Sequence, residues 1–559
     1  MPVSAVNTIG EANARSNGVA DGSRFWPIGW LNVMRACDDT SSDVRLEKLR
    51  SATTGGAVAT TASGHGDADA TEELTSRKCE GQLSMLTAAN SCSSCMPASR
   101  TSEMAQEDYG PSWDNLPSVI LQEIFSYLSH ESRIIASKVC KNWRYTLFHP
   151  RFWRKITFVF RDEDSILWTR FLANRFALSV HEATIRWDIP RYINCVGETY
   201  RLLKKLGHNK QLRKLFLEFN SNFYDSPFDN EDVSTYKSST ALVECVINII
   251  ETSNCLETLT LGFREELIVH ISAILEPLRL HHSKHLTHLS LASIKDDPDC
   301  YDFFELDNTI FNSFIRLSIL TLDYEYVSDT LLVALDNGCM QRLVIHIHGW
   351  KEDYPGTTNG AWQMFVQKNP HCELRLNLIH SYAGVKVLDT DIFCPAMPLT
   401  HLQVLFCENV NIRALHRLSM WYAHTLTSLT WIDSIDRKQP IPSTYDSNDP
   451  NGPDSLVLVA WKCSKLMKMV FLGHKYYQEN LLAIARLRGS TLKLLVFAKS
   501  DITSEIESWF EAENIRREIR DIMGPHWMLL NDSDLPMVIL DPFKGDSREV
   551  IMPLVLNDQ

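Results

Sequence analysis

The feature that most limits how this chain can fold is a recurring L-x-x-L-x-L spacing. It reads Leu212-Leu215-Leu217, Leu256-Leu259-Leu261, Leu286-Leu289-Leu291 and Leu317-Leu320-Leu322. It continues as Met340-Leu343-Ile345, Leu399-Leu402-Val404, Leu426-Leu429-Trp431, Leu466-Met469-Phe471 and Leu492-Leu495-Phe497, with a weaker copy at Leu374-Leu376-Leu378 and a degenerate one at Val180-Ala183-Ile185. The last two apolar positions of each copy alternate, so both point inward from a short strand. The first packs in the turn before it. Helical patterns lie between copies, at Thr240 to Thr252, Ser328 to Asn337 and Glu479 to Leu487. One strand and one helix cannot close a core alone, whereas stacked units share one. The spacing therefore predicts an α/β solenoid of parallel strands and helices.

The repeat is irregular. Copies cluster about 25 to 32 residues apart, with longer gaps after Leu212 and Leu426 that hold loop-like inserts, Asn220 to Ser239 and Arg437 to Asp454. The asparagine that commonly follows such a template is missing. This is a divergent, leucine-rich-repeat-like horseshoe with its strands on the concave side. Residues flanking the inward pair face that side. Early units place Lys214, Phe216, Glu218, Thr258, Thr260, His288, Ser290, Thr321 and Asp323 there, and late units Leu405, Ile432, Val470, Leu472, Leu494 and Val496. An apolar strip of that length needs cover, either from a bound partner or from the chain itself. For the second, Ile506, Trp509, Phe510, Ile515, Ile519 and Ile522 form a helical stripe, followed by Trp527 to Leu530.

A different pattern precedes the repeats. Residues 113–128 read WDNLPSVILQEIFSYL, followed by VCKNWR and HPRFWR. Leu116-Pro117 opens a helix, with proline in its first turn. Leu116, Ile120, Ile124 and Leu128 recur every four residues beside Leu121 and Phe125, a wide apolar face for a short helix. Ser129 to Ser132 offer caps for a second helix carrying Ala136, Val139, Cys140 and Trp143. A segment this short cannot bury so much apolar surface within itself, so it needs a partner.

This segment resembles the F-box, through Leu116-Pro117, the Ile124/Leu128 stripe, Val139-Cys140-x-x-Trp143 and the closing Trp153. The stretches Leu456 to Leu466 and Asn480 to Ser490 resemble the F-box only protein 33 family. The resemblance covers about 110 to 540 and is strongest between 455 and 500. It implies a non-catalytic receptor that docks on a Skp-type adaptor and, through it, on a cullin and RING protein, and that holds an unidentified protein substrate for ubiquitination and degradation. The adaptor-facing residues would be Leu116, Pro117, Ile120, Leu121, Ile124, Leu128, Val139, Cys140 and Trp143. Substrate would meet Leu405, Ile432, Val470, Leu472, Leu494 and Val496. The alternative is a scaffold that uses the same adaptor contact without promoting ubiquitin transfer.

The expected organisation is a mostly disordered tail over 1–108, the F-box over 109–158, the repeats over 159–500 and a C-terminal helix and tail over 501–559. Ser51 to Asp69 has low complexity, and Phe25 to Leu31 is the apolar island of the tail. A formal net charge of −14 argues against nucleic-acid and anionic-membrane partners. Fourteen scattered cysteines and a start, MPVSAVNTIG, without an apolar leader fit a cytoplasmic or nuclear protein with reduced thiols. No phosphate loop, dinucleotide fingerprint, nucleophile elbow or H-E-x-x-H helix occurs, and no cofactor is expected. Cys92 and Cys95 have metal-ligand spacing but lack a second pair. His281, His282, His285 and His288 read as solvated turn residues, His346 and His348 as a surface pair, and Cys140 as a contact residue, so no metal site or catalytic residue is assigned.

Overall fold

The computed structural model describes residues 113–187, 195–219, 232–295, 306–434, 453–504 and 509–558. The tail, with its Phe25 to Leu31 island and the Cys92/Cys95 pair, lies outside them. The described residues fall into two compact units, the chain passing from one to the other between His149 and Pro150.

The first unit holds three short helices: α1 (Ser118–Ser126), α2 (His130–Ala136) and α3 (Lys141–Leu147). Pro117 stands at the N-cap of α1, where its carbonyl accepts from Leu121 N at 3.1 Å. Ser129 caps α2 by accepting from Ser132 N. The stripe expected on one helix is divided between two. The chain leaves the helix after Ala136, and Cys140 is extended at the N-cap of α3, which puts Val139 on the link.

The second unit is a solenoid. Its sheet has twelve parallel strands in strict chain order: β1 (Lys155–Phe160), β2 (Glu182–Trp187), β3 (Lys214–Phe219), β4 (Thr258–Gly262), β5 (His288–Ser290), β6 (Ile319–Asp323), β7 (Arg342–Ile347), β8 (Glu373–Ile379), β9 (Leu399–Leu405), β10 (Ser428–Ile432), β11 (Lys468–Leu472) and β12 (Leu494–Val496). An order without crossovers is what stacking of successive units produces. Each repeat copy supplies one strand. β1 was not foreseen: Ile156, Phe158 and Phe160 alternate inward and are buried, but they follow directly on the F-box pattern.

The inward pairs stack in register, Leu215 on Leu259 and Leu217 on Leu261 for example, and all are buried. The helices on the other side include α4 (Glu163–Phe176), α5 (Cys195–Leu206), α6 (Asp232–Thr252), α7 (Glu265–Ile268), α8 (Ile271–His282), α9 (Asp329–Ala334), α10 (Asn359–Lys368), α11 (Ile412–Trp421), α12 (Ser455–Lys462) and α13 (Gln478–Arg488). The first insert is partly helical, because α6 starts at Asp232.

An asparagine does seal the units, but from a position ahead of the template. Asn209 Nδ2 donates to the Ala177 and Val180 carbonyls at 2.7 and 2.6 Å. Asn337 donates to Phe314 and Leu317, and Asn369 to Leu335. Each satisfies carbonyls at the helix-to-strand turn of the preceding coil, groups that would otherwise be left unpaired. Buried His282 does the same between the Ile250 carbonyl and Leu256 N.

Gly473 follows β11 with φ 81°, and a Cβ there would meet the Asp433 carbonyl oxygen at 2.0 Å. Gly473→Ala combines left-handed strain with overpacking against rigid backbone. It should cost on the order of 3 kcal/mol, read as a lower denaturant midpoint.

Candidate functional site

In the helical unit, Leu121 and Phe125 form the core, both fully buried. Trp143 packs edge-on against Phe125 with ring centroids 5.9 Å apart, and its Nε1 donates to the Trp113 carbonyl at 3.1 Å. Asn142 Nδ2 donates to the Asp114 and Leu116 carbonyls, so α3 holds the entry to α1. Arg133 Nε ties α2 to the end of α1 through the Phe125 carbonyl at 2.7 Å.

The nine residues expected at an adaptor therefore divide. Leu121 is corrected: its side chain is wholly inside the unit and cannot meet another protein. Leu116, Ile124, Leu128, Cys140 and Trp143 are half-buried, while Pro117, Ile120 and Val139 are exposed. Trp113, Val119, Tyr127, Ile135 and Tyr145 also stand exposed. None of these falls on the four-residue stripe. Among the described residues, no other stretch of this length exposes as many large apolar side chains.

The outer face of the solenoid sheet, away from the helices, is the second candidate surface. Here the expected substrate-binding residues are overturned. Leu405, Ile432, Val470 and Leu472 are completely buried, Val496 nearly so, and Leu494 is half-buried. They share one apolar cluster with Leu535, Val538, Ile539, Val550, Ile551, Met552, Leu554 and Val555. The chain's own last residues, with helices at Met537–Leu540 and Arg548–Leu556, cover the strip. The covering segment lies later than the one expected. The helix Trp509–Met523 instead packs beside α13, where Ile522 meets Gly489 and Glu518 pairs with Arg486 at 2.7 Å. Trp527 Nε1 then donates to the Leu495 carbonyl, and Leu530 pairs beside the last strand.

Polar contacts pin this cover. Asp558 accepts from Arg375 at 2.7 Å, from Asn377 at 3.0 Å and from Gln403 at 2.7 Å, and its carbonyl accepts from Arg342. Burial opposes charge on Arg375, but Asp558 and Glu373 more than offset it and hold the guanidinium above its ordinary value. His380 meets Ser547 Oγ at 2.9 Å, and the buried Arg548 donates to the Ile294 carbonyl.

The outer face stays open over β1 to β3. Lys155, Thr157, Val159, Arg186, Lys214, Phe216 and Glu218 are exposed or half-buried there. Charged pairs cross the strands, Lys155 with Glu182 at 2.8 Å and Arg186 with Glu218 at 2.6 Å. The other early residues, Thr258, Thr260, Ser290, Thr321 and Asp323, are buried.

The histidines also depart from expectation. His281 and His285 are exposed, but His282 is a core residue, so the four do not act together. His346 and His348 are buried rather than on the surface, and they converge with Asp323. Burial drives the His346 imidazole down to about 4.

Residues 113–159 match the F-box-like family model. The chain carries an F-box-like domain. It is also 24% identical over 500 residues to human F-box only protein 33, covering 78% of this chain and 86% of that protein. The mouse F-box only protein 33 is 23% identical over 517 residues, covering 81% and 89%. A crystal structure of a TLR13–ssRNA13 complex aligns with 59% of this chain and 54% of its own, at 12% identity and a TM-score of 0.24. The solenoid assignment rests on the strand order described above. Among the described residues, no helix is long and apolar enough to cross a membrane.

Proposed function

We propose that this chain is a substrate-recognition subunit of a Skp–cullin–F-box ubiquitin ligase, working in the cytoplasm or nucleus. The observation that carries the reading is the apolar surface of the F-box-like unit: Val119, Ile120, Ile135 and Val139 are each about half exposed or more. Exposed apolar side chains crowded into one small unit call for a protein partner, and a Skp-type adaptor is the partner that the F-box match supports. The chain itself contributes no nucleophile. Its role is proximity, holding a substrate near a ubiquitin-charged enzyme brought by the cullin and RING protein.

The polar strip on β1 to β3 is the substrate surface this reading favours, since the late strands are already covered. Arg186→Glu with Phe216→Ala removes a cross-strand pair and the one large apolar side chain of the strip. Substrate capture should fall at least about tenfold with adaptor binding unchanged, as read by quantitative proteomics of trapped ubiquitination substrates. Unchanged capture would move the substrate surface elsewhere. The ligase assignment itself is tested by affinity purification of the full chain. Adaptor and cullin should copurify and the eluate should transfer ubiquitin. Adaptor without cullin would favour the scaffold reading, and no adaptor would end both.

A further inference from the structure

We propose that Asp323, His346 and His348, with the carbonyl oxygen of Ser293, form a structural zinc site that clamps three consecutive strands. His346 Nδ1 and His348 Nε2 both turn onto the Ser293 carbonyl, at 2.9 and 3.0 Å. The Asp323 carboxylate lies 3.5 Å from the same His348 nitrogen. The three side chains are buried, and one ligand atom from each lies within 4.8 Å of the others. A tetrahedral zinc with bonds of about 2.0–2.1 Å sets its ligands roughly 3.3 Å apart, close to the 2.9 and 3.0 Å of the two imidazole–carbonyl pairs and the 3.5 Å between His348 and Asp323.

A further observation points to an ion. Two buried imidazoles both turn their inner nitrogens onto one carbonyl beside a buried carboxylate, an arrangement that a shared cation explains. The carboxylate is also prepared to ligate. Ser293 Oγ donates to Asp323 Oδ2 at 2.6 Å and its backbone N donates to both oxygens, as outer partners orient a metal ligand.

The neighbouring Lys295 balances part of the Asp323 charge but makes its closest contacts elsewhere. Lys295 Nζ is held by both Glu325 oxygens at 3.0 Å. Imidazole and carboxylate oxygen donors suit zinc, and a buried four-donor set with no open position suits a structural rather than a catalytic ion. The donors come from the ends of β5, β6 and β7, and Arg548 of the cover reaches the adjacent Ile294 carbonyl. The site would fix the coil on which the cover ends.

The test uses the purified full chain and zinc itself. Metal analysis should find about one zinc per chain. Exchange with Co2+ should give the strong visible absorption of a tetrahedral site, and chelation should lower the melting temperature. His346→Asn with His348→Asn should abolish the bound metal and the chelator effect, whereas Cys92→Ser with Cys95→Ser should leave both. Folded wild-type chain without zinc, and without the Co2+ spectrum after exchange, would overturn the proposal. So would zinc retained by the histidine variant or lost with the cysteines. If the histidine variant does not fold, the wild-type stoichiometry, spectrum and cysteine variant still decide.

Discussion

Removing residues 531–559 should make the chain aggregate. The deletion leaves the helix layer intact, but it uncovers Leu405, Ile432, Val470 and Leu472 on three adjacent strands, every one of them completely buried in the full chain. It also strips the partners of Asp558. A bare apolar strip of that extent is an association surface. The finer version keeps the chain length. Ile539→Ala and Ile551→Ala each delete a fully buried side chain, at about 2–5 kcal/mol apiece. That exceeds what local docking of one terminal segment can absorb, so the cover should detach while the solenoid stays folded. Size-exclusion chromatography, dye binding to exposed apolar surface and proteolysis after about residue 530 would read the change. A truncated chain that stays monomeric and melts as before would show that the strip tolerates water.

Ile120→Asp with Val139→Asp should abolish capture of the adaptor and leave both units folded. Ile120 and Val139 are 49% and 63% exposed, so charge at these positions meets water in the free chain and costs little. In a complex it would be buried without a partner. Loss of a central anchor costs about 2–4 kcal/mol, a factor of roughly 30 to nearly 1000 in affinity for each. The choice matters. Ile124 and Leu128 lie on the obvious stripe but are half-buried, so charge there would disturb folding and binding together. Leu121→Asp is the control, expected to unfold the small unit outright because its side chain is the core. Quantitative pull-down with circular dichroism of the same samples separates the cases. Undiminished capture would reject this face as the adaptor surface.

Local periodicity carried most of this architecture. A two-residue alternation reports one strand and a repeat of such alternations reports a stack, because each inward pair needs only its neighbours above and below. That is why all the copies from Val180 to Leu492 correspond to strands, and why Leu116 to Leu128 could be recognised as a greasy helix. The same reasoning blurred where one local pattern ran into the next. β1 begins six residues after His149, inside the stretch whose pattern reads as F-box, and the Val139-Cys140 link carries a helical spacing although Cys140 is extended.

The amino-acid order by itself determined that a small apolar helical unit precedes a solenoid, and that the outer face of that solenoid turns from polar to apolar. It could not determine what covers the apolar half, since the decisive contacts join Arg342 and Arg375 to Asp558 across about two hundred intervening residues. Nor could it bring the His346/His348 pair together with Ser293 and Asp323, which lie on two other coils. Spacing along a chain reports neighbours on one element, whereas burial and convergence are properties of surfaces that exist only after the coils have stacked.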